Sequence, residues 1–470
     1  MTKQLIAGVL LFPALVGGPA ATQPAQTPRP PNILLIQADD LGYGDLSAYG
    51  QARFRTPALD RLAREGTRFT QYYAGSTVCA PSRAVLMTGK HTGHAWIRGN
   101  GGAATGDVPL RPEDVTMAEV LRDAGYRTAL IGKWGLGQPG TTGQPDRQGF
   151  EYSFGFLDQR HAHRQYTDHL WRNGERVEAG IQGEYVGDLF TKEAAAFIER
   201  SDARPFFVYL NYTVPHAELR VPDDSIEPFR GRFQERPFEN PVADARPGGA
   251  LPGAPSLGYR SQPAPLSAFA AMITRMDRDI GRLVDRLGTL GIDRQTLVIV
   301  TSDNGPHREG GADPAFFKSS GPLRGIKRDL YEGGIRVANI ARWPGTVPAG
   351  RVSDQLWAHW DMLPTFADLA GARTPPDLDG ISMLRALRGE PQPPHPVLYW
   401  EFHERGFQQA VRMDRWKAVR LKTGAALELY DLEADPGEQR DVAAAHADVV
   451  SRMETYLKTA RTESDRWPVK

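Results

Sequence analysis

Four short apolar segments, each followed at once by polar residues, constrain the fold of this chain more than any other feature of its sequence. The segments are residues 33–36, 129–131, 206–210 and 297–300. Nearly continuous apolar runs are typical of strands that are covered on both faces, as in a parallel sheet, and helical segments separate them here. The sequence therefore predicts an α/β fold with a parallel sheet.

Three of the intervening segments carry clear helix signals. Thr56 and Pro57 are expected to be the N-cap and first residue of one helix. Thr116 and Glu119 have the spacing of a capping box at the start of a second helix. A third helix is expected over about residues 267–290, where apolar residues form one stripe. These helices would cover the faces of the sheet.

Side chains able to do chemistry follow all four apolar segments. In chain order they are Asp39 with Asp40, Lys133, His216, and Asp303 with Asn304. In parallel sheets, ligands bind in the crevice beyond the carboxyl ends of the strands. We therefore expect these side chains to meet at one edge of the sheet.

The N-terminus has the pattern of a secretory signal peptide. Lys3 precedes an apolar stretch over residues 5–16, and small residues follow. We expect a signal peptide over residues 1–22, a flexible leader over 23–31, and an exported protein, periplasmic or secreted. No later segment is a transmembrane candidate, so we expect no stable membrane insertion.

Charge and cysteine content narrow the class of protein further. Basic and acidic residues number 56 each, so net charge does not favour binding to nucleic acid. The single cysteine, Cys79, cannot form an intramolecular disulfide. It is either a buried inert thiol or a functional group.

The sequence around Cys79 favours a functional group. In Cys79-Ala80-Pro81-Ser82-Arg83, Pro81 suits the first turn of a helix. Cys79 would then lie beside the helix N-terminus, where backbone N–H groups favour an anion, and Arg83 would add a positive charge. These residues indicate a nucleophile, with an activated thiolate as one form of it, next to a subsite for an oxyanion or phosphate-like group.

Cys79-x-Pro81-Ser82-Arg83 resembles the signature of the type I sulfatases, in which the cysteine is oxidised to formylglycine. Six further motifs resemble that family in the same order, and they span roughly residues 32–345. They are Asp39-Asp40-Leu41-Gly42, Gly132-Lys133-Trp134, Pro215-His216, Asp303-Asn304-Gly305, Gly325-x-Lys327 and Glu332-Gly333-Gly334-x-Arg336-Val337. The resemblance implies an alkaline-phosphatase-like fold, with a large mixed and mostly parallel sheet between helices.

The resemblance also implies a metal site. Asp39, Asp40, Asp303 and Asn304 would supply oxygen ligands, and Cys79 would complete the site. Six to eight oxygen ligands suit one Ca²⁺ per chain. Each pair alone is equally consistent with loop capping or a turn, so the prediction depends on both pairs meeting at one sheet edge.

In the mechanism that the resemblance implies, the aldehyde made from Cys79 hydrates to a gem-diol. One hydroxyl attacks sulfur to give a covalent sulfate-enzyme, and the second then expels sulfate. Arg83, Lys133 and Lys327 would stabilise the sulfuryl oxygens, and His216, with Lys327, would protonate the leaving oxygen. The alternative for the two lysines is a solvated surface position.

The chain departs from the family at one position. Many members carry a histidine where this chain has Gly135, and that histidine normally contacts the formylglycine. His161 or His163 is the hypothesised replacement, although both are also ordinary candidates for loop histidines. His307, just beyond Asp303-Asn304, is interpreted first as a loop residue.

Two regions lie outside the strand and helix pattern of the first 300 residues. An irregular excursion is expected near the pocket over residues 215–265, and a Pro-rich stretch over 375–396 marks a boundary. We expect a catalytic domain over residues 32–375 and a C-terminal α+β subdomain over 395–470. The subdomain is predicted to have strands at 397–400, 410–413, 416–421 and 427–430, and a helix at 444–460.

The predicted function is that of a sulfatase acting on a small-molecule or oligosaccharide sulfate ester, with a carbohydrate preferred. Its expected partner is a formylglycine-generating maturation enzyme. Two alternatives remain open at this point. One is a phosphonate or phosphate ester hydrolase of the same superfamily, and the other is a non-catalytic binder of sulfated glycans.

Overall fold

A computed structural model describes residues 1, 2, 4, 8, 29–101, 107–200, 202–244 and 258–469. The predicted signal peptide over 1–22 and leader over 23–31 lie mostly outside the described residues. Among the residues described, the chain forms two sheets.

The larger sheet has eleven strands in the described part of the chain. They are β1 (Asn32–Asp39), β2 (Thr67–Tyr73), β3 (Arg127–Lys133), β4 (Tyr152–Phe156), β5 (Leu170–Arg172), β6 (Glu175–Val177), β7 (Phe206–Pro215), β8 (Thr296–Ser302), β9 (Arg336–Arg342), β10 (Arg351–Ser353) and β11 (Trp357–Ala358). Their order is β10-β2-β9-β8-β1-β7-β3-β4-β5-β6, and β11 pairs with β2.

The centre of this sheet confirms the four predicted strands. β8, β1, β7, β3 and β4 are neighbours and run parallel. β9 and the β5-β6 pair add antiparallel strands on the two sides, so the sheet is mixed and mostly parallel. The central strands are buried along their whole length, as continuous apolar runs require.

Helices cover both faces of the large sheet. The α-helices of the described residues, of which the last packs on the smaller sheet, are α1 (Pro57–Glu65), α2 (Cys79–Thr88), α3 (Met117–Asp123), α4 (Val186–Glu199), α5 (Asp223–Ile226), α6 (Pro241–Asp244), α7 (Pro265–Thr289), α8 (Pro314–Phe317), α9 (Glu332–Ile335), α10 (Met362–Ala370), α11 (Leu384–Leu387) and α12 (Ala447–Leu457). The core cluster on one face includes residues of α1, α4 and α7. The cluster on the other face includes residues of α2, α3 and α10.

The predicted helix starts hold, with one correction. The capping box of Thr116 and Glu119 is present at the start of α3. Thr56 stands at the N-cap of α1, but its hydroxyl accepts a hydrogen bond from the Ser47 backbone instead of capping the helix. The first N–H groups of α1 are instead satisfied by the carboxylate of Asp277, which projects from α7.

The smaller sheet lies after the Pro-rich stretch, as predicted. Its antiparallel strands are β12 (Leu398–Phe402), β13 (Gln408–Met413), β14 (Trp416–Arg420) and β15 (Glu428–Asp431). α12 packs on one face and is shorter than the predicted 444–460, because residues 443–445 form a separate 3-10 turn. The other face of the smaller sheet packs against the part of the chain that contains the large sheet. There, Trp400 donates a hydrogen bond to the Ala74 carbonyl.

One finding concerns membranes. In the part of the chain that the structure covers, none of the helices has both the length and the apolar character needed to span a bilayer.

Candidate active site

The carboxyl ends of the central strands bring the predicted side chains together. Asp39 is the last residue of β1, and Lys133 is the last residue of β3. The backbone N–H of His216, just after β7, donates to the Asp39 carbonyl at 3.1 Å. The backbone N–H of Asp303, just after β8, donates to the Ala38 carbonyl at 3.1 Å. Parallel pairing thus fixes the four strand ends beside each other.

Cys79 enters this cluster from the start of α2. Its Sγ lies 3.5 Å from Oδ1 of Asp39. Ligand atoms of Cys79, Asp39, Asp40 and His216 all lie within 4.8 Å of one another, and all four residues are buried. The backbone N–H of the next residue, Ala80, donates to Oδ1 of Asn100 at 3.0 Å.

The buried thiol differs from the activated thiolate considered from the sequence. Burial raises the pKa of the Cys79 thiol, and the positive charges of Lys133 and Lys327 offset only part of that effect. The unmodified thiol is therefore protonated at neutral pH. A reactive group at this position requires a chemistry other than simple thiolate formation.

Arg83 lies one helical turn after Cys79 and is fully buried. Its guanidinium donates to Oδ2 of Asp303 at 2.8 and 3.1 Å and to the Lys133 carbonyl at 3.0 Å. It also lies 3.7 Å from Asp39. Arg83 therefore binds the ends of β3 and β8 together and adds a positive charge beneath the cysteine.

Each of the two candidate lysines pairs with one of the carboxylates at the end of β1, Asp39 or the next residue, Asp40. Lys133 Nζ lies 2.7 Å from Oδ2 of Asp39, and Lys327 Nζ lies 2.7 Å from Oδ2 of Asp40. Burial would lower the pKa of both lysines, but Asp39 and Asp40 outweigh it and raise the pKa of each above its usual value. Both lysines therefore carry a positive charge, and neither is a solvated surface residue.

The pKa values of Asp39 and Asp303 are shifted in opposite directions. Burial would raise the pKa of Asp39, but Lys133, His216 and Arg83 outweigh it and hold the pKa well below its usual value. The pKa of Asp303 is raised to about 7 by burial and by the charge of Asp39. A cation bound beside Asp303 would stabilise the ionised form of this carboxyl group.

The donor set fits a hard divalent cation. Oδ1 of Asn304 is buried and accepts no hydrogen bond from any described residue, while its Nδ2 donates to Oδ1 of Asp40 at 2.7 Å. Carboxylate and amide oxygens are the ligands that Ca²⁺ prefers. The three carboxylates Asp39, Asp40 and Asp303 are balanced by Arg83, Lys133 and Lys327. A bound divalent cation would therefore make the pocket attractive to a sulfate or phosphonate oxyanion.

His216 is oriented by its own backbone. Its Nδ1 donates to the Ala217 carbonyl at 2.6 Å, which leaves Nε2 3.5 Å from Oδ2 of Asp40 and 3.5 Å from Oε2 of Glu309. Burial, followed by the charge of Lys327, lowers the pKa of His216 well below its usual value. Nε2 is thus the nitrogen that faces the pocket.

His163 joins the site, and His161 does not. The ring of His163 stacks on His216 with centroids 4.4 Å apart, and neither of its ring nitrogens makes a hydrogen bond to a described residue. His161 instead stacks on His169 and bonds to the Thr167 hydroxyl at 2.8 Å. Of the two histidines proposed from the sequence, only His163 contacts the cluster.

His307 lies in the loop after β8, as interpreted from the sequence, but it also contacts the site. It is buried, and its ring stacks on the far face of His216 at 5.4 Å. Its Nε2 donates to the Pro215 carbonyl at 3.0 Å, and its Nδ1 accepts from the Glu309 backbone at 3.0 Å. With both nitrogens bound by backbone, His307 supports His216 and has no free atom for a metal or a proton.

The region of Gly135 is occupied by another side chain. Gly135 has a φ of +75°, and a Cβ placed there would lie 1.9 Å from Nε2 of Gln159. That amide donates to the Gly135 carbonyl at 3.2 Å. A histidine at this position would need both a different backbone conformation and the displacement of Gln159.

Two further pocket residues were not identified from the sequence. Glu309 lies 3.6 Å from Lys327 and 3.5 Å from His216, and Tyr259 donates to Glu309 at 2.8 Å. Tyr259 belongs to the excursion over residues 215–265. The prediction that this excursion lies near the pocket was the only sequence signal for Tyr259. Neither residue follows an apolar strand, so the strand-end pattern does not find them.

Two protein-family models match this chain. The model described as Sulfatase matches residues 31–372, and the model described as N-sulphoglucosamine sulphohydrolase, C-terminal, matches residues 326–463. A curated relative, the steryl-sulfatase of Mus musculus, is 32% identical over 97% of this chain and 86% of its own length.

Solved structures share the fold of this chain. The structure of Ps i-CgsB in complex with k-i-k-neocarrahexaose has a TM-score of 0.77, is 28% identical, and covers 92% of this chain and 93% of its own. The phosphonate monoester hydrolase of Agrobacterium radiobacter has a TM-score of 0.64 and is 25% identical. It covers 94% of this chain and 99% of its own.

Proposed function

The chain belongs to the sulfatase family of sulfuric ester hydrolases, and we propose that it hydrolyses the sulfate ester of a carbohydrate by means of a formylglycine made from Cys79. One observation carries the proposal. Cys79 lies buried at the start of α2, in contact with Asp39 and among three positive side chains, yet burial raises the pKa of its thiol. The position suits a nucleophile, but the unmodified thiol does not.

The modified residue supplies the nucleophile in this proposal. As a gem-diol, residue 79 would offer one hydroxyl to attack sulfur, giving a covalent sulfate-enzyme, and a second hydroxyl whose deprotonation releases inorganic sulfate. A serine at this position would also form a sulfate ester, but it would lack the second hydroxyl that expels sulfate. The buried contact between Cys79 and Asp39 places this group against the cluster of charges.

The chain's cations would stabilise the sulfuryl oxygens. Lys133 and Lys327 are held in place by Asp39 and Asp40, and Arg83 by Asp303, so none needs to reorganise during the reaction. One Ca²⁺, held by Asp39, Asp40, Asp303 and Asn304 with residue 79, would withdraw electron density from the same oxygens.

Lys327 is the group we propose to deliver the proton to the leaving oxygen, because its ammonium is charged and lies beside Asp40. His216 presents an unprotonated Nε2 to the pocket at neutral pH, so it can pass a proton to the leaving oxygen only after taking one up. His163, stacked on His216 with free ring nitrogens, is the residue we assign to removing the proton from residue 79. That is the role of the histidine that Gly135 replaces.

A carbohydrate substrate is favoured by the neighbour that binds a neocarrahexaose. We also propose the domain bounds, the maturation and the export that were expected from the sequence. The catalytic domain spans residues 32–375 and the subdomain spans 395–470. A formylglycine-generating enzyme matures the protein, which is exported after removal of residues 1–22.

The test is sulfate release from a panel of monosaccharide sulfates by protein coexpressed with a formylglycine-generating enzyme. We expect release that is lost on Cys79→Ala, lost on treatment with EDTA, and restored by Ca²⁺. Absence of release from all sugar and aryl sulfates, with residue 79 shown to be an aldehyde, would contradict the proposal.

A phosphonate ester is the second candidate substrate, because a phosphonate monoester hydrolase shares this fold at a TM-score of 0.64. A tetrahedral oxyanion and a divalent cation serve both reactions. Comparing kcat/KM for 4-nitrophenyl sulfate and 4-nitrophenyl phenylphosphonate separates the two. The proposed function requires the sulfate to be the faster substrate.

A further inference from the structure

We propose that a chain of hydrogen-bonded polar side chains at the pocket mouth binds the hydroxyl groups of the sugar that carries the scissile sulfate. The chain consists of Asn100, Glu404, Arg328 and Glu309, which we call the polar rim. This inference rests on the proposed sulfatase function and specifies the part of the substrate next to the sulfate.

The polar rim starts at the cysteine helix. Oδ1 of Asn100 accepts from the Ala80 backbone at 3.0 Å, and the Asn100 backbone donates to Oε1 of Glu404 at 3.3 Å. Glu404 lies in the connection between β12 and β13, so the smaller sheet reaches the residue that follows Cys79. The rim thus joins the two parts of the chain beside the nucleophile.

The polar rim ends at the catalytic lysine. Arg328 donates from Nε to Oε2 of Glu404 at 3.2 Å and from Nη1 to Oε1 of Glu309 at 2.8 Å. The other oxygen of Glu309 accepts from Tyr259 and faces His216 and Lys327 at 3.5 and 3.6 Å. A group bound at the rim would therefore lie within reach of the residues proposed to protonate its leaving oxygen.

The rim side chains remain partly exposed to solvent despite their contacts with one another. Arg328 is 29% exposed, Glu404 24% and Glu309 22%, whereas the lysine next to them, Lys327, is 2% exposed. The deep cluster binds the oxyanion, and the rim keeps one face open to solvent. This difference in exposure is expected where a substrate extends out of a pocket.

The order of charges along the rim indicates the chemistry of its ligand. Glu404, Arg328 and Glu309 alternate acceptor, donor and acceptor. A sugar hydroxyl both donates and accepts, so adjacent hydroxyls can bond to adjacent members of such a series. The net negative charge of the three side chains disfavours a second sulfate here, and they offer little surface to a steroid or aryl group.

The backbone of Arg328 holds this residue in place. Its φ is +74°, and its N–H donates to the Thr77 carbonyl at 3.1 Å, just before the cysteine helix. Lys327 therefore points to Asp40 while the next side chain points to the rim. One short segment thus supplies a residue for the sulfate and a residue for the sugar.

The experiment compares two substrates for each of two variants, Glu404→Gln and Arg328→Gln. The substrates are 4-nitrophenyl sulfate, which has no sugar hydroxyls, and the best substrate among galactose 4-sulfate, galactose 6-sulfate, glucosamine 6-sulfate and N-acetylgalactosamine 6-sulfate. The ratio of the two kcat/KM values does not depend on how much of the protein carries formylglycine. Arg405→Gln is the matched control, because Arg405 follows Glu404 but pairs with Asp329 outside the rim.

We expect each rim variant to lower kcat/KM for the sugar sulfate by roughly ten- to a hundredfold, as for loss of a hydrogen bond to a charged group. Aryl sulfate turnover should fall by a smaller factor than sugar sulfate turnover in each rim variant, and the control should match wild type on both substrates. An equal loss on both substrates would show that the rim only supports the fold, and no loss would show that it does not bind the sugar. Wild type that hydrolyses only the aryl sulfate overturns this inference alone, while wild type that hydrolyses neither overturns the proposed function.

Discussion

His161 and His163 are two positions apart in the sequence, but their side chains lie in different clusters. His163 stacks on His216, and His161 stacks on His169. Burial lowers the pKa of both rings, to about 4 for His161 and well below the usual value for His163, so both are neutral at neutral pH. Only His163 stacks on a residue of the charged cluster, which is why we propose it, and not His161, as the acceptor of the proton from residue 79.

We predict that His163→Ala lowers kcat by roughly a hundredfold, the range expected for loss of a positioned general base. His161→Ala is the matched control and should leave kcat within about twofold of wild type. The measurement is steady-state turnover of an aryl sulfate, corrected for the fraction of formylglycine in each preparation. Equal effects of the two substitutions would contradict the assignment.

At the residue level, the sequence predicted the buried charged cluster but not its surroundings. Asp39, Lys133 and Asp303 follow apolar strands, so a local pattern identifies them. Glu309 and Tyr259 reach the pocket through loops, and their contacts depend on how the loops fold. The choice of His163 over His161 was also inaccessible, because it depends on the direction in which a short loop turns.

The helix α1 shows how one element depends on another for its start. The N–H groups of Ala58 and Leu59 donate to the carboxylate of Asp277 at 3.1 and 2.8 Å. Asp277 is buried in α7, more than two hundred positions later in the chain. The cap therefore joins the two helices on one face of the sheet.

We predict that Asp277→Ala lowers the free energy of unfolding by about 1 to 3 kcal/mol, because two N–H groups lose their acceptor. Asp285→Ala is the control on the same pair of helices. It removes an exposed ion pair with Arg61, and such pairs contribute less than about 1 kcal/mol. Chemical denaturation measures both, and equal losses would mean that the Asp277 cap has no special role.

Among the elements, the sequence predicted those with strong periodicity. The four central strands, three helices and the small sheet were all found, because each has a run or stripe of apolar residues. The sheet order and the short strands β10 and β11 were not predicted. β10 and β11 are three and two residues long, and their pairing with β2 is set by distant parts of the chain.

At the scale of the whole molecule, a buried ionic cluster links the two sheets. Lys417 of β14 lies 2.9 Å from Glu332 and 2.9 Å from Glu438, and all three side chains are buried. Lys417 and Arg336 hold the pKa of Glu332 to about 2 despite burial, while burial raises the pKa of Glu438 to about 7. Lys417 thus bridges the two carboxyl groups, and Arg336 adds a second positive charge beside Glu332.

We predict that Lys417→Met lowers the free energy of unfolding by about 3 to 5 kcal/mol, because the buried carboxyl of Glu438 loses its ion pair and Glu332 keeps only its ion pair with Arg336. Lys417 lowers the pKa of both carboxyls, so the folded-state pKa of each rises from its wild-type value when the lysine is removed. The folded state then binds more protons, and the loss should be larger at about pH 8 than at about pH 5.5. Lys422→Met, at an exposed position, is the control and should change the free energy of unfolding by less than about 0.5 kcal/mol. A loss that does not vary with pH would contradict this account of the cluster.

The central claim of this account is that Cys79 becomes a formylglycine, and the most direct test is mass spectrometry of the peptide that contains residue 79. The protein is coexpressed with a formylglycine-generating enzyme and compared with Cys79→Ala. Because the hydrated aldehyde is nearly equal in mass to the thiol, the peptide is treated with iodoacetamide, which labels thiols, and with an aminooxy reagent, which labels aldehydes. We predict the aminooxy adduct and no iodoacetamide adduct. A peptide labelled only by iodoacetamide, from cells in which the maturation enzyme converts a second substrate, would contradict the claim.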